Sequence, residues 1–443
     1  MSPRHLGRGA GVLAVLALAA LACFQDPTSP AQCPAYCPGN RLTTVESLLA
    51  TSIQRDSSFQ GYVAAHRLGS LLASAPPGVD SRPIFETLPI PLRVLIDSAP
   101  ADTVTGPIVV DSMKLTVTVL RRYAALRNLT LSFYRLPLGI DSNSTFAGLA
   151  PAFAAAPLRT VNVDSLLAAS NHRDAVTGDT ILAIDSVRHT VSLRVKFDQS
   201  VFSQADSGKL AIGVRISADS LASVALGSVE GGEDRATVTW FYRADSAGKL
   251  VRPDSLPNAP DTILQSPRFD GFVSDLAPVA LDSNLTVGGV PSTRALLRIA
   301  LPRVLRDSSQ IIRAVLQLVP TGSAPVTTSD SVFLQARRIA TDIGAKSPAV
   351  LDTFVARSAP FVGSPTDTIR MEMTTLFRLW QLDTTTVPAV YLSLLAVDRA
   401  DSLVLRGFEG ETFTTLRFFS SRTPAFRPSI LLTFVPRLKF GAP

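Results

Sequence analysis

From about residue 45 onward, hydrophobic and polar residues alternate along the chain with a period of two. The string MKLTVTVL at 113–120 shows this most clearly, and 129–136, 191–197 and 236–241 follow the same pattern. Because successive side chains of a strand point to opposite faces, the alternation predicts half-buried β-strands. Helical spacing is confined to 163–170, which predicts one short helix. Many short strands separated by turn residues favour an all-β protein of antiparallel, jelly-roll-like β-sandwiches.

The strand-like segments form an internal repeat. Segments of the first half return in the same order in the second half: 59–63 as 269–273, 82–92 as 294–305, 110–120 as 311–319, 191–202 as 369–380, and 235–241 as 427–434. A period of roughly 200 residues is too long for a solenoid and indicates two copies of one domain. We therefore predict two tandem modules at 45–245 and 267–437, joined by a linker at 246–266 that is rich in Pro, Asp and Ser.

The first residues have the features of an export signal. Arg4 and Arg8 precede a run of about fourteen apolar residues, which suits a signal-peptide core and is too short to span a bilayer. The run ends in the string LAALAC, which resembles the lipobox of bacterial lipoproteins, although Ala20 stands where that motif usually has a larger aliphatic residue. The resemblance implies that residues 1–22 are removed as a signal peptide and that Cys23 is acylated.

A lipid on Cys23 would anchor the protein to a membrane, because several acyl chains give stable binding that one chain does not. Phe24 follows the cysteine, where an Asp would favour retention at the inner membrane. We therefore expect the protein in the bacterial cell envelope, at the outer membrane rather than the inner one. The alternative is ordinary cleavage after Ala22, which would leave a secreted protein without lipid.

Residues 23–44 are predicted to form a Pro-rich tether. They contain Cys33 and Cys37 in the string CPAYC. If Cys23 is lipidated, these two cysteines form an even pair in an oxidising compartment, which predicts a small disulfide loop. A metal site, the alternative, would need further ligands nearby, and no histidine is close in sequence.

The second copy carries a family resemblance. Its strings STRALLRI, IIRAVLQL and RPSILL, together with the segments 376–380 and 418–421, resemble the DNRLRE-type domain. That domain is a β-sandwich module of bacterial surface proteins and polysaccharide-degrading proteins, and some members are carbohydrate-binding modules. The resemblance covers 267–437 and, more weakly, 57–243, where RPIFE at Arg82 replaces RALLR. It implies a sandwich fold and a polysaccharide as the candidate ligand.

Charge gives no indication of a nucleic-acid ligand. The formal net charge is +6, and the 42 Lys and Arg residues are interspersed with 36 Asp and Glu residues without a run of one sign. Nucleic-acid binding usually requires a basic stripe or cluster in sequence, so we expect a mixed-charge solvated surface and no nucleic-acid partner.

Histidines offer no catalytic pattern. Beyond the predicted signal peptide the chain has His66, His172 and His189, and no Cys or Gly-x-Ser-x-Gly motif accompanies them. We therefore interpret them as ordinary surface or strand-end residues.

Acidic residues could form a glycosidase pair only if the fold brings them together. Glu230, Glu233, Glu409 and Glu411 lie in Gly-containing turns, where solvated loops are the favoured interpretation. Calcium-loop and phosphate-loop motifs are absent from the sequence. We predict no enzymatic activity, no metal and no cofactor.

Aromatic residues are the usual platform for sugars. Trp240, Tyr242, Trp380 and Tyr391 are the candidates, but both tryptophans lie in strand-like runs, where packing into the sandwich is favoured over display. No ligand-binding residue follows from the sequence.

These observations favour a non-enzymatic, surface-anchored lipoprotein with a binding or adhesion role. Its expected partners are the membrane, through the lipid, and a polysaccharide or another surface protein. One alternative is a structural envelope protein whose modules pack against other surface proteins. The other is an accessory or degenerate polysaccharide-active protein.

Overall fold

The structure is a computed structural model of the chain. It describes residues 44–436 except 50–51, 62, 78, 100–101, 123–125, 187–189, 202–208, 247, 257–259, 277–280, 323–330, 342–349, 364, 384 and 398–406. Cys23, Cys33, Cys37 and His189 lie outside the described residues, as do the predicted signal peptide and almost all of the tether. The lipid anchor and the disulfide therefore stay predictions.

The first two-thirds of the described chain is mostly β-strand. Its strands are β1 Val45–Leu49, β2 Ile53–Gln60, β3 Ser70–Ser74, β4 Ser81–Thr87, β5 Arg93–Ala99, β6 Asp102–Arg122, β7 Thr130–Leu136, β8 Arg159–Asn162, β9 Thr180–Asp185, β10 Thr190–Asp198, β11 Ala211–Ser217, β12 Ser223–Gly227, β13 Thr237–Ser246, β14 Lys249–Val251, β15 Ile263–Gln265 and β16 Pro267–Ser274.

The remaining strands are β17 Leu285–Gly288, β18 Thr293–Ile299, β19 Ser309–Leu318, β20 Ser331–Thr341, β21 Val350–Arg357, β22 Phe361–Val362, β23 Ile369–Glu372, β24 Ala389–Val397, β25 Gly407–Glu409, β26 Thr415–Phe418 and β27 Ser429–Pro436. The α-helices are α1 Phe146–Ala154, α2 Val163–Ala168, α3 Arg303–Asp307 and α4 Thr374–Leu382. The described chain is mostly β and its sheets are antiparallel, so the predicted all-β fold is confirmed.

Three of these helices, α1, α3 and α4, were not predicted. Helix α1 begins where the Thr145 hydroxyl accepts a hydrogen bond from the Gly148 amide, and it contains Pro151. Helix α4 follows strand β23 inside a segment whose repeat partner is a strand, and its buried Leu376, Phe377 and Trp380 have helical spacing. The prediction of a single helix was therefore wrong, whereas the short helix predicted at 163–170 is present as α2.

A first hydrophobic cluster lies between two layers of strands. One layer contains β10, β6 and β13 in that order, and the other contains β3, β4, β11 and β7. Phe133 of β7 and Phe197 of β10 meet edge to face across the cluster, with ring centroids 5.9 Å apart. The inward positions of the string LTVTVL on β6 are buried in this cluster. These contacts make the arrangement a β-sandwich.

A second hydrophobic cluster has the corresponding arrangement. Strand β19 pairs with β27 and β23, as β6 pairs with β13 and β10. The opposite layer contains β18, β24 and β20. The strands of the predicted sequence repeat therefore occupy corresponding places around the two clusters.

The first strands of each predicted module, together with β15 of the predicted linker, pair with the other copy. Strands β1 and β2 pair with β27 and β18, and Ile53 of β2 is buried in the second cluster. Strands β15 and β16 pair with β13 and β4 of the first copy. Around the first cluster the strands are thus contiguous, at 70–274, whereas the second cluster is assembled from 45–60 and 285–436.

This pairing differs from the predicted module boundaries at two places. The prediction assigned 45–60 to the first module and 267–274 to the second, because sequence order alone does not show which sheet edge a strand joins. The predicted linker at 246–266 also contains β14 and β15, both paired with β13. The division of the chain into tandem domains stays a prediction.

Side chains from both copies meet at one junction. Phe272 of β16 and Phe413 stand edge to face with ring centroids 6.0 Å apart, and both are buried with Leu68 and Leu72. None of the helices that the structure describes is long and apolar enough to cross a membrane.

Candidate functional site

The aromatic residues that the sequence suggested for sugar binding are buried. Trp240 and Trp380 are 0% exposed, and Tyr242 and Tyr391 are 3% exposed. The Trp240 indole N–H donates to Oε1 of the half-buried Gln265 at 2.9 Å. Packing into the core, the favoured interpretation for the two tryptophans, is confirmed for Trp240 and Trp380, and the two tyrosines are buried as well.

The described histidines lie apart from one another. His66 stacks on Phe269 at 6.4 Å between ring centroids, and His172 is exposed in a short turn with a φ of 48°. Neither residue therefore belongs to a recognisable catalytic arrangement.

The acidic turn residues differ in their surroundings. Glu230 is exposed, as predicted. Glu409 is held by Arg294, whose Nε and Nη2 donate to its two carboxylate oxygens at 2.8 Å each, and Glu411 is only 3% exposed. The solvated-loop interpretation is therefore wrong for Glu409 and Glu411, because both turns are covered at the junction. The side chain of Glu233 lies outside the described atoms.

Asp270 is a buried acid that sequence reasoning missed. It lies on β16 and is 4% exposed. Burial, the largest effect, and the neighbouring Glu230 together raise the pKa of Asp270 to about 7, although the Val229 amide, which donates at 2.7 Å, acts in the opposite direction. The sequence repeat could have drawn attention to Asp270, because the first copy has the neutral Gln60 at the corresponding position. Among the side chains that the structure describes, no three potential metal ligands come together.

A regular array of polar side chains covers one outward sheet surface of the first copy. Strands β11, β7 and β8 lie side by side, and their inward residues belong to the first cluster. Their outward residues align across the strands in two rows. We call this array the polar face: Ser217, Thr130 and Asn162 in one row, and Arg215, Ser132 and Thr160 in the other.

Hydrogen bonds order the rows. Asn162 Nδ2 donates to Thr130 Oγ1 at 3.2 Å, and the Ser132 and Thr160 hydroxyls are 3.3 Å apart. The Asn162 side-chain oxygen also accepts from the Ser165 amide at 2.8 Å, which caps α2. The edge strand β8 is thus fixed to the start of α2, and its polar side chains are held in place.

A hollow of about 410 Å³ lies at the β11 end of the polar face. It is lined by Ala75, Pro76, Ser132, Tyr134 and residues 215–218. Arg215 is the charged residue of this lining. Its guanidinium lies 3.5 Å from Asp80, whose carboxylate is already bound through two hydrogen bonds by Arg82.

A second hollow of about 410 Å³ lies at the β8 end and is lined by hydroxyl, amide and carboxylate groups. Its polar lining is contributed by Thr130, Thr160, Asn162, Ser165, Asp174, Thr177 and Asp179. The amides of Val176 and Thr177 donate to Asp174 and hold the pKa of that carboxyl below its usual value. Asp179 is buried and bound by Arg159, so Asp174 is the more accessible of the two carboxylates.

The polar face was not identified from the sequence. Thr130 and Ser132 occupy the polar positions of the alternating string LTLSFYRL, where a solvated strand face is the ordinary interpretation. Only the register of β11, β7 and β8 shows that these positions line up with Arg215 and Thr160.

Chemically, the polar face offers donors and acceptors in a fixed array between two hollows, which suits a ligand that carries many hydroxyl groups. Comparison of the chain with models of known protein families gives no match, and comparison with curated proteins gives no significantly similar sequence.

Proposed function

We propose that the protein is a non-enzymatic, lipid-anchored surface protein of the bacterial cell envelope that binds a polysaccharide through its polar face. The observation that carries the proposal is the register of β11, β7 and β8, which aligns six polar side chains in two rows between two hollows.

The size of the array favours an extended ligand. Adjacent strands are about 4.8 Å apart, so each row of three residues extends over roughly 10 Å. Hydroxyl, amide and guanidinium groups at that spacing can exchange hydrogen bonds with consecutive sugar units. The carboxylate of the half-buried Asp174 adds an acceptor for sugar hydroxyls at one end.

The fixed surroundings of the acidic residues support binding rather than hydrolysis. Glycoside hydrolysis needs two carboxyl groups that both reach the substrate. Glu409 is bound by Arg294 and Ser292, and Asp179 is bound by Arg159 and Thr177. We infer that these carboxylates stabilise the structure.

The lipid anchor on Cys23 is part of the proposal and rests on the lipobox-like sequence. The DNRLRE-like strings of the second copy also support a surface role. Incorporation of radiolabelled fatty acid tests the anchor: wild-type protein should be labelled and the Cys23→Ser variant should not. A mature protein that begins elsewhere than at Cys23 would contradict it.

A polysaccharide array tests the binding. The full chain, solubilised in detergent, should be retained by at least one polysaccharide, and the double variant Ser132→Ala/Thr160→Val should lose most of that retention. The matched control is Thr116→Val/Thr237→Val, a cross-strand pair on β6 and β13. Retention by no polysaccharide would overturn the proposal and favour a structural envelope protein that packs against other proteins.

A further inference from the structure

A second surface of the first copy carries a cluster of positive charges. We call it the basic face: Lys114 of β6, Arg194 and Lys196 of β10, and Arg173 beside them. Lys114 and Lys196 are direct cross-strand partners. The Lys114 ammonium lies 4.4 Å from the centre of the Phe241 ring of β13, which holds it by a cation–π contact.

The charges of the basic face repel one another. Burial lowers the pKa of Lys114, and Arg194, Lys196 and Arg173 lower it further in that order. The Nε of Arg194 is buried without a hydrogen-bond partner. Like charges directly opposite each other in an antiparallel pair are destabilising, so an anion placed here would relieve the repulsion.

Three carboxylates near the basic face are engaged or lie at its margin, and a fourth, Asp174, follows Arg173 in sequence and accepts hydrogen bonds from the Thr177 and Val176 amides. Asp179 is bound by Arg159, and Asp111 is bound by Arg243 at 2.8 Å. Asp198 lies at the end of β10, opposite Ser112. The centre of the face, between β6 and β10, therefore keeps its positive charge.

The second copy supplies an internal comparison. Its corresponding strands β19 and β23 carry charges of both signs, with Arg313 and Glu372 joined at 3.0 Å. The cross-strand partners Val315 with Glu372 and Gln317 with Arg370 correspond to Thr116 with Arg194 and Thr118 with Ser192 in the first copy, so Glu372 stands where the first copy has Arg194. The excess of positive charge is thus specific to one copy and does not follow from the shared fold.

We propose that the basic face contacts the anionic phosphate groups of lipid headgroups on the membrane that carries the protein. The proposal rests on the proposed anchoring, because a tethered protein is held near that membrane. Clustered Lys and Arg residues bind anionic leaflets electrostatically, and the attraction decreases with added salt. The outward surface of a sheet presents its cations side by side, which suits a planar layer of headgroups.

Lysine footprinting tests which surface contacts the membrane. The full chain is reconstituted from detergent into vesicles of phosphatidylglycerol and phosphatidylcholine, or of phosphatidylcholine alone, and its amines are acylated and quantified by mass spectrometry. Acylation of Lys114 and Lys196 should be several-fold lower on the vesicles that contain phosphatidylglycerol than on those of phosphatidylcholine alone. The difference should disappear in high salt. Lys249, exposed on β14, is the matched control and should react equally in both.

Variants and alternative anions complete the test. Lys196→Gln with Arg194→Gln should abolish the protection of Lys114, whereas Arg313→Gln in the second copy should not. Equal protection on both vesicle types, or none, would overturn the proposal. The proposal would also be overturned if inorganic phosphate or a soluble polyanion protected these lysines while anionic vesicles did not. That result would assign the basic face to a soluble ligand. Co-sedimentation with phosphatidylcholine vesicles tests the lipid anchor separately. A failure of the anchor can therefore be distinguished from a failure of the basic face to contact the membrane.

Discussion

Ile53 and Trp380 are buried in one hydrophobic cluster, although one lies near the start of the described chain and the other near its end. Strand β2 brings Ile53 there by pairing with β18. Trp240, the chain's other tryptophan, is buried in the first cluster, so each cluster contains one fluorescent reporter.

This arrangement predicts a selective effect of Ile53→Ala. Truncating a buried isoleucine costs about 2–5 kcal/mol, and the loss should appear in the unfolding transition of Trp380. The measurement is denaturant unfolding in Trp240→Phe and Trp380→Phe backgrounds. Ile181→Ala, which removes a side chain from the first cluster, is the matched control and should act on the Trp240 transition. An effect of Ile53→Ala confined to Trp240 would contradict the pairing.

Asp270 predicts a dependence of stability on pH. Its pKa is raised to about 7 in the folded protein, from an ordinary value of 3.8. Between these values the folded chain holds a proton that the unfolded chain has lost. The free energy of unfolding should therefore decrease as pH rises from about 4 to about 7, by at most about 1.4 kcal/mol per pH unit.

Asp270→Asn should remove this dependence, because its amide oxygen can still accept from Val229 and never becomes charged. Denaturation curves between pH 4 and 8 provide the measurement. Asp307→Asn, an exposed aspartate of α3, should leave the slope unchanged. An equal slope in wild type and Asp270→Asn would show that another group is responsible.

Gly213 predicts a steric limit beside the polar face. A Cβ at this position would lie 2.3 Å from the ring of Phe153, so α1 packs on β11 because residue 213 has no side chain. Gly213→Ala should destabilise the protein by about 1–3 kcal/mol. Gly271→Ala, whose Cβ would meet atoms no closer than 3.6 Å, is the control and should have a small effect. Comparable losses of thermal stability in Gly213→Ala and Gly271→Ala would contradict this account.

Lys196→Glu should stabilise the first copy. The substitution converts a like-charge cross-strand pair with Lys114 into an opposite-charge pair, with a gain of about 0.5–1 kcal/mol that shrinks in high salt. Lys249→Glu reverses an exposed charge on β14 and serves as the comparison. A loss of stability in Lys196→Glu at low salt would argue against repulsion within the basic face.

Alternation and repetition in the sequence predicted part of the fold because they report which side of a strand is buried. The string LTVTVL of β6 alternates and lies at the centre of a sandwich layer. Its repeat partner β19 occupies the corresponding place. Pattern alone could not show that β1 and β2 join the second copy, because strand pairing depends on which sheet edge is open after folding.

The candidate site was less predictable than the fold. Thr130, Ser132 and Thr160 have no local feature that separates them from solvated residues, since their alignment with Arg215 is a property of register. Similarly, the raised pKa of Asp270 depends on burial by segments that are distant in sequence. The two tryptophans were correctly expected to pack in the core, although Trp380 does so from helix α4 rather than from the strand that the sequence suggested.

The most direct test of the proposed function is a calorimetric titration with the polysaccharide that the array identifies. Wild type and the control Thr116→Val/Thr237→Val should bind with the same affinity, and Ser132→Ala/Thr160→Val should bind at least tenfold more weakly, a difference of about 1.4 kcal/mol. Equal affinity of all three proteins would contradict binding at the polar face.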